Sequence, residues 1–255
     1  MDQRQRSELT APLVAAAETA GKAILEVYAS DFAARAKADQ SPVTDADERA
    51  EAIILAELMR LTPHIPIVAE ESVAAGRLPE IGAGPFWLVD PLDGTREFLS
   101  RNDEFTVNVA LIEAGHPTVG VVHVPVQGLT YWTDGASAFR RQGTSEARAI
   151  RVRRPAPDGL VVLASRSHRD QRTDDYLATI KVKQLVSAGS SIKFCLVAEG
   201  AADHYPRLGR TMEWDTAAGH AVLAGAGGRV ITFDGAELAY GKPGFENPDF
   251  IASGG

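Results

Sequence analysis

Apolar positions recur every three to four residues through "MDQRQRSELTAPLVAAAETAGKAILEVY", residues 1–28, with charges between them. That spacing predicts an amphipathic first helix. The next stretch, "FAARAKADQSPVTDADERAEAIILAELMRLTP", reads as a short strand, a Ser-Pro turn and a second helix. Thr44 or Asp45 is its expected N-cap, with acids in the first turn. The period then changes. "IPIVAEES" and "FWLVDP" are continuous apolar runs ending in acid, as short buried strands read. "FTVNVALIEA", "PTVGVVHVPV" and "GLTYWTDG" follow between Gly and Pro signals and predict an antiparallel meander.

A basic, Pro-rich connection, "RVRRPAPDG", opens the second half. Beyond it come strand "LVVLASRSH", helix "DDYLATI", strand "KVKQLVSAG", helix "SSIKFCLVAEG", strand "ADHYPR", helix "DTAAGHAVLAGAGG" and strand "RVITF". Alternation of this kind predicts α/β layers. Two halves are expected: an α+β half over residues 1–150, and an α/β half over residues 151–255.

Composition narrows the partners. The 255 residues are 45% hydrophobic, ample for a large core, and carry a net charge of −8. An acidic chain is a poor general partner for nucleic-acid polymers and anionic membranes, although a small anionic substrate fits if something local and positive receives it. No run of eighteen apolar residues exists to span a membrane, and the N-terminus lacks a signal-peptide core. Cys195 is the only cysteine, which excludes an intrachain disulfide or thiolate cluster and fits a cytoplasmic compartment.

The chemistry lies in the acids: Glu70 and Glu71 in "VAEES", Asp90 and Asp93 in "WLVDPLDGTREF", Asp215 in "EWDTAAGH", and Asp45 and Asp47 in "TDADE". Taken singly, adjacent glutamates read as a solvated turn, and Asp47 or Asp215 as an ordinary helix cap. "DPLDGT" is different, because it follows a buried strand directly. Pro91 biases Asp90 toward extended backbone, and a bend lets Asp93 return toward it. Gly94 permits a tight turn, which leaves the amides of Gly94, Thr95 and Arg96 at a helix start where an anion can sit. Two carboxylates so close need a proton or a cation between them. Oxygen ligands without nearby His or Cys suit Mg²⁺ or Mn²⁺ rather than Zn²⁺. The aspartates are three apart, which sets this motif apart from the D-x-D-G-T of phosphoaspartate enzymes.

In this order, "VAEES", "WLVDPLDGTREF" and "EWDTAAGHAVLAGAGG" resemble the inositol monophosphatase superfamily of lithium-sensitive, Mg²⁺-dependent phosphatases, over nearly the whole chain. "DGTREFLSRNDEFTVNVALI", "SRSH", "GSSIKFCLVAEGAADHYPR" and "MEWDTAAGH" are similar to its bacterial 3′(2′),5′-bisphosphate nucleotidase branch. The resemblance implies a layered α–β–α–β–α sandwich and removal of the 3′-phosphate from adenosine 3′,5′-bisphosphate by metal-activated water. The alternatives are an inositol or sugar phosphate on the same site, and a non-catalytic metal- or nucleotide-binding regulator.

Carried over residue by residue, it implies that Glu70, Asp90 and the Leu92 carbonyl hold one Mg²⁺, and that Asp90, Asp93 and Asp215 hold a second. A third ion near Glu70 is compatible with it. Thr95 and Asp47 match the pair that orients and deprotonates the water, helped by Glu70. Gly94, Thr95 and Asp215 face the substrate. Gly189, Ser190, Ser191 and Lys193 in "AGSSIKF" are further candidates for ribose or phosphate, as are Ser165, Arg166 and His168 in "SRSHR". The plain alternatives there are a helix cap and a solvated turn. Tyr205 and Arg207 are candidates for base or 5′-phosphate. The superfamily often dimerises, so a homodimer is compatible, as is a peripheral position at the inner membrane.

Overall fold

The computed structural model describes residues 1–36, 42–165 and 170–254. Helix α1 (Gln3–Tyr28) leads to a two-stranded hairpin, β1 (Arg35–Ala36) with β2 (Pro42–Val43), and then to α2 (Asp45–Leu61). A seven-stranded sheet follows, built from β3 (Ile67–Ala69), β4 (Phe86–Asp93), β5 (Thr106–Glu113), β6 (His116–Val124), β7 (Leu129–Thr133), β8 (Ala138–Gln142) and β9 (Arg148–Ile150), in that spatial order. Short helices α3 (Glu70–Ala74) and α4 (Thr95–Leu99) leave the ends of β3 and β4. Only β3 and β4 run parallel; the rest is the meander the sequence predicts, extended by β8 and β9, which it did not.

The second half supplies β10 (Leu160–Ser165), α5 (Gln171–Leu177), β11 (Val182–Ala188), α6 (Ile192–Ala198), β12 (His204–Arg207), α7 (Glu213–Gly225), β13 (Arg229–Thr232) and β14 (Phe250–Ser253). Its five strands lie in the order β11-β10-β12-β14-β13. The unanticipated β14 inserts antiparallel between β12 and β13.

Both faces of the large sheet are buried, and residues alternate between two cores as a pleated strand requires. Trp87, Val89, Val107, Val109 and Leu111 face α1 and α2. Phe86, Leu88, Ala110 and Ile112 face the other way, onto Phe194 and Cys195 of α6 and Ala217, Ala218 and Val222 of α7. The same core takes Leu163, Tyr205, Phe250 and Ala252 from the second sheet. On that sheet's opposite face, Tyr176 of α5 stacks on His204 at 5.9 Å. The layers therefore run helix, sheet, helix, sheet, helix, the sandwich the resemblance implies. The strands divide between sheets near residue 150, while one core joins them.

Close approach of α7 to the large sheet depends on Gly120. A Cβ there would stand 2.6 Å from Ala221 Cβ and 2.7 Å from the Ala218 carbonyl oxygen. Among the described residues, no helix is long and apolar enough to cross a membrane.

Candidate active site

The pairing of β4 with β5 places the first two aspartates. Asp90 pairs with Asn108 and Asp93 with Thr106, so three steps on β4 answer two on β5, a β-bulge. Asn108 and Thr106, two apart, point to one face, and the bulge brings Asp90 and Asp93 to that face as well. It is the face packed on α6 and α7. Asp90 is almost fully buried, and its Oδ1 accepts the Leu92 N–H at 3.0 Å. Gly94 caps α4 with φ 93°, a left-handed conformation suited to glycine. Phe98 then pins α4 against Tyr28, Phe32 and Phe105 at centroid distances of 4.9, 4.7 and 5.2 Å.

Asp47 reaches the site from the first turn of α2. Its Oδ2 accepts the Thr44 N–H at 2.8 Å and the Thr44 hydroxyl at 2.7 Å, the return half of a capping box in which Thr44 Oγ1, as the N-cap, accepts the Ala46 N–H at 3.2 Å. Its Oδ1 is left facing the Thr95 hydroxyl at 3.4 Å, and the Leu92 carbonyl oxygen lies 3.3 Å from the same hydroxyl. Glu70 opens α3, at the end of the strand parallel to β4. Asp215 lies in the first turn of α7 and accepts the Met212 N–H at 2.8 Å.

One cavity gathers most of these groups. Glu70, Asp93, Gly94, Thr95, Ser165, Ser190, Ser191, Lys193 and Asp215 all line it, together with Tyr205, Arg207 and Arg210. Asp47 and Asp90 stand behind its wall rather than on it. Burial raises the Asp93 carboxyl to about 6 against the pull of the Lys193 ammonium, with Glu97 adding to the rise. Asp215 is pushed well above the usual carboxylate range by burial, then by the charges of Asp93 and Glu70. Lys193 is lowered to about 8 by burial, against the attraction of Asp93, and Arg207 lowers it further. Among the described residues, no three His, Cys, Asp or Glu side chains are gathered closely enough to hold an ion. The donor chemistry nonetheless fits a hard cation: carboxylate oxygens share one cavity, and their mutual repulsion is what such a cation relieves.

The loop before α6 divides the candidates there. Ser190 has φ 40°, and its buried hydroxyl has no partner among the described residues. Ser191 is committed inside the protein. Its hydroxyl donates to Asn108 Oδ1 at 2.7 Å and so accepts from Thr106 at 2.8 Å, while its N–H donates to Asp93. The Gly189 N–H is held by Glu104 Oε2 at 2.7 Å. Lys193 Nζ donates to the Ser190 carbonyl at 2.5 Å and the Ala188 carbonyl at 3.3 Å. Arg207 donates to the Arg210 carbonyl at 3.1 Å, and its buried Nε has no partner among the described residues. Arg166 and His168 lie outside the described residues. Sequence reasoning missed Glu97, a buried acid of the cavity wall in the short helix α4, whose only signal is its place four residues after Asp93.

A profile of the inositol monophosphatase family matches residues 5–251. The 3′(2′),5′-bisphosphate nucleotidase CysQ of Salmonella typhimurium is 45% identical, over 92% of this chain and 95% of that protein. The enzyme of the same name from Escherichia coli strain K12 is 44% identical, over 93% and 96%. The crystal structure of CysQ from Bacteroides thetaiotaomicron, a bacterial member of the inositol monophosphatase family, superposes with a TM-score of 0.81 at 38% identity, over 95% of this chain and 96% of that one.

Proposed function

The chain belongs to the inositol monophosphatase family, and on that footing we propose that it is a divalent-metal-dependent phosphatase that converts adenosine 3′,5′-bisphosphate to AMP and inorganic phosphate. The observation that carries this reading is a single cavity whose lining includes four carboxylates, Glu70, Asp93, Glu97 and Asp215, and the cations Lys193, Arg207 and Arg210. A substrate with two phosphates needs both: acids that bind metal at the phosphate to be cleaved, and cations for the phosphate that stays.

Glu70, Asp90, Asp93 and Asp215, with the Leu92 carbonyl, are the groups that would hold two Mg²⁺ ions, or Mn²⁺ in their place, with room for a third near Glu70. When bound, they would supply positive charge and Lewis acidity at the phosphoryl group. The protein's own part begins at Thr95. Its hydroxyl stands 3.4 Å from Asp47, so a water hydrogen-bonded to Thr95 can pass its proton toward that buried carboxylate. The amides of Gly94 and Thr95, at the start of α4, are suited to the negative phosphoryl oxygens. At the other phosphate, the Ser190 hydroxyl and Arg207 Nε are unpartnered donors among the described residues, and Lys193 adds charge.

Phosphate release from adenosine 3′,5′-bisphosphate and from inositol 1-phosphate, with and without Mg²⁺, tests the proposal. The expected result is Mg²⁺-dependent release from the bisphosphate, with AMP as the product. Preference for inositol 1-phosphate would reassign the substrate, and no release from any phosphate ester would favour a binding protein.

A further inference from the structure

Glu51 is an acid that the chemistry above leaves without a task. It lies on α2, is 4% exposed, and uses both carboxylate oxygens. Oε2 accepts the Glu71 N–H at 2.8 Å and Oε1 accepts the Ser72 hydroxyl at 2.6 Å. Both donors belong to the first turn of α3, whose first residue is Glu70.

That helix needs outside help. It has five residues, and its own N-cap is Ala69, which offers no side-chain hydrogen bond. So short a helix has little stability of its own, and alanine is among the poorest caps. Glu51 supplies the missing acceptor from a neighbouring element. It also sits four residues after Asp47, on the same face of α2 and about 6 Å further along its axis. Asp47 faces the Thr95 hydroxyl at 3.4 Å. One rigid helix thus holds Thr95 with one carboxylate and the root of Glu70 with the next.

We infer that Glu51 is a positioning residue: by capping α3 from α2 it fixes where Glu70 enters the cavity relative to Thr95. The inference rests on the phosphatase reading of that cavity. Glu51 touches no reacting atom, and its action runs through the Glu71 amide and the Ser72 hydroxyl.

The experiment compares Glu51→Gln, Glu51→Ala and Ser72→Ala with the wild type in the full chain. Glutamine can accept the Glu71 N–H through its amide oxygen and donate to the Ser72 hydroxyl, so it should keep kcat within about threefold. Alanine at position 51 should lower kcat by about thirtyfold or more, with KM changed less than about threefold. It should also raise the Mn²⁺ concentration needed for half-saturation, read directly by electron paramagnetic resonance. Hydrogen exchange should quicken at residues 70–74 and stay unchanged in the β5–β6 ladder. Ser72→Ala, a milder cut that keeps the carboxylate, should move every readout in the same direction by a smaller factor; it also serves if Glu51→Ala does not fold. Faster exchange at 70–74 with wild-type kcat and Mn²⁺ binding would overturn the inference, as would equal impairment by glutamine and alanine. An inactive wild type would refute the phosphatase reading, and the exchange and Mn²⁺ measurements would then still judge Glu51.

Discussion

Replacing Glu213 with alanine removes a carboxylate that is fully buried and triply bonded. One oxygen accepts the Gly241 N–H at 2.7 Å, and the other accepts the Lys242 N–H at 2.9 Å and Lys242 Nζ at 2.7 Å. The substitution strands two amides and leaves the Lys242 ammonium only the Ala239 carbonyl and Asn247 Oδ1 as protein partners among the described residues. A hydrogen bond to a charged group contributes about 1.5–3 kcal/mol, and breaking a buried ion pair by removing one partner costs about 3–5 kcal/mol. These figures count the same contacts twice in part, so the expected loss is about 4 kcal/mol. For a chain of this size that corresponds to roughly 10 °C in Tm. Lys242→Met is the control. The lysine side chain is 29% exposed, and its loss leaves Glu213 with both amides, so about 1–2 kcal/mol is expected. Urea denaturation followed by circular dichroism, with the slope checked for constancy, measures both. A cost below about 1 kcal/mol for Glu213→Ala, or equal costs for the two variants, would refute the assignment of the stability to the buried amide contacts.

Other expectations follow from the same geometry. Asp90→Asn should lower turnover by at least about a hundredfold with an unchanged circular dichroism spectrum; near-normal turnover would remove the shared-carboxylate scheme. Gly219→Ala would bring a Cβ within 2.6 Å of Phe194, which adjoins Lys193 on α6. It should cost about 1–3 kcal/mol in urea and raise KM for the bisphosphate more than it lowers kcat. Burial lowers His123 to about 4 and His220 to about 3, so the unfolded chain takes up protons that the folded one refuses. Their contribution to stability is complete above about pH 6.5 and falls by about 1.4 kcal/mol per pH unit for each as acid is added toward pH 4. Imidazole resonances assigned to His123 or His220 that titrate near pH 6.5 in the folded protein would contradict this.

What the sequence made legible, and what it hid, follow from range. Strands buried on both faces, such as Phe86–Asp93 and Thr106–Glu113, announce themselves as apolar runs. Strand β8 is half-exposed over most of its length, and β14 joins its sheet beside β12, more than forty residues earlier, so neither leaves a strong local pattern. At "EES" the expected strand end is instead the first turn of α3, because Glu51 caps it from across the fold. Asp93 was readable from residue type and spacing, whereas Thr95 and Asp215 were singled out by the family resemblance; all three line one cavity. The burial of Glu51, Glu97 and Glu213 was not, since a glutamate in a helix looks the same whether water or a neighbouring amide meets it. The sequence suggested a free Ser191 hydroxyl, but Asn108 takes it, a partner eighty-three residues away.

Helix α7 lies between the two sheets, against the large one across Gly120 and against α6 across Gly219, and it carries Asp215 at its tip. That acid is therefore delivered by a part wedged between two slabs. Residues 1–150 expressed alone would retain Glu70, Asp90 and Asp93 but not the fourth carboxylate. On the metal-holding role proposed for Asp215, turnover should gauge how the slabs are stacked, and gentle heating that lets them slip should silence it while most of the helical and strand signal persists.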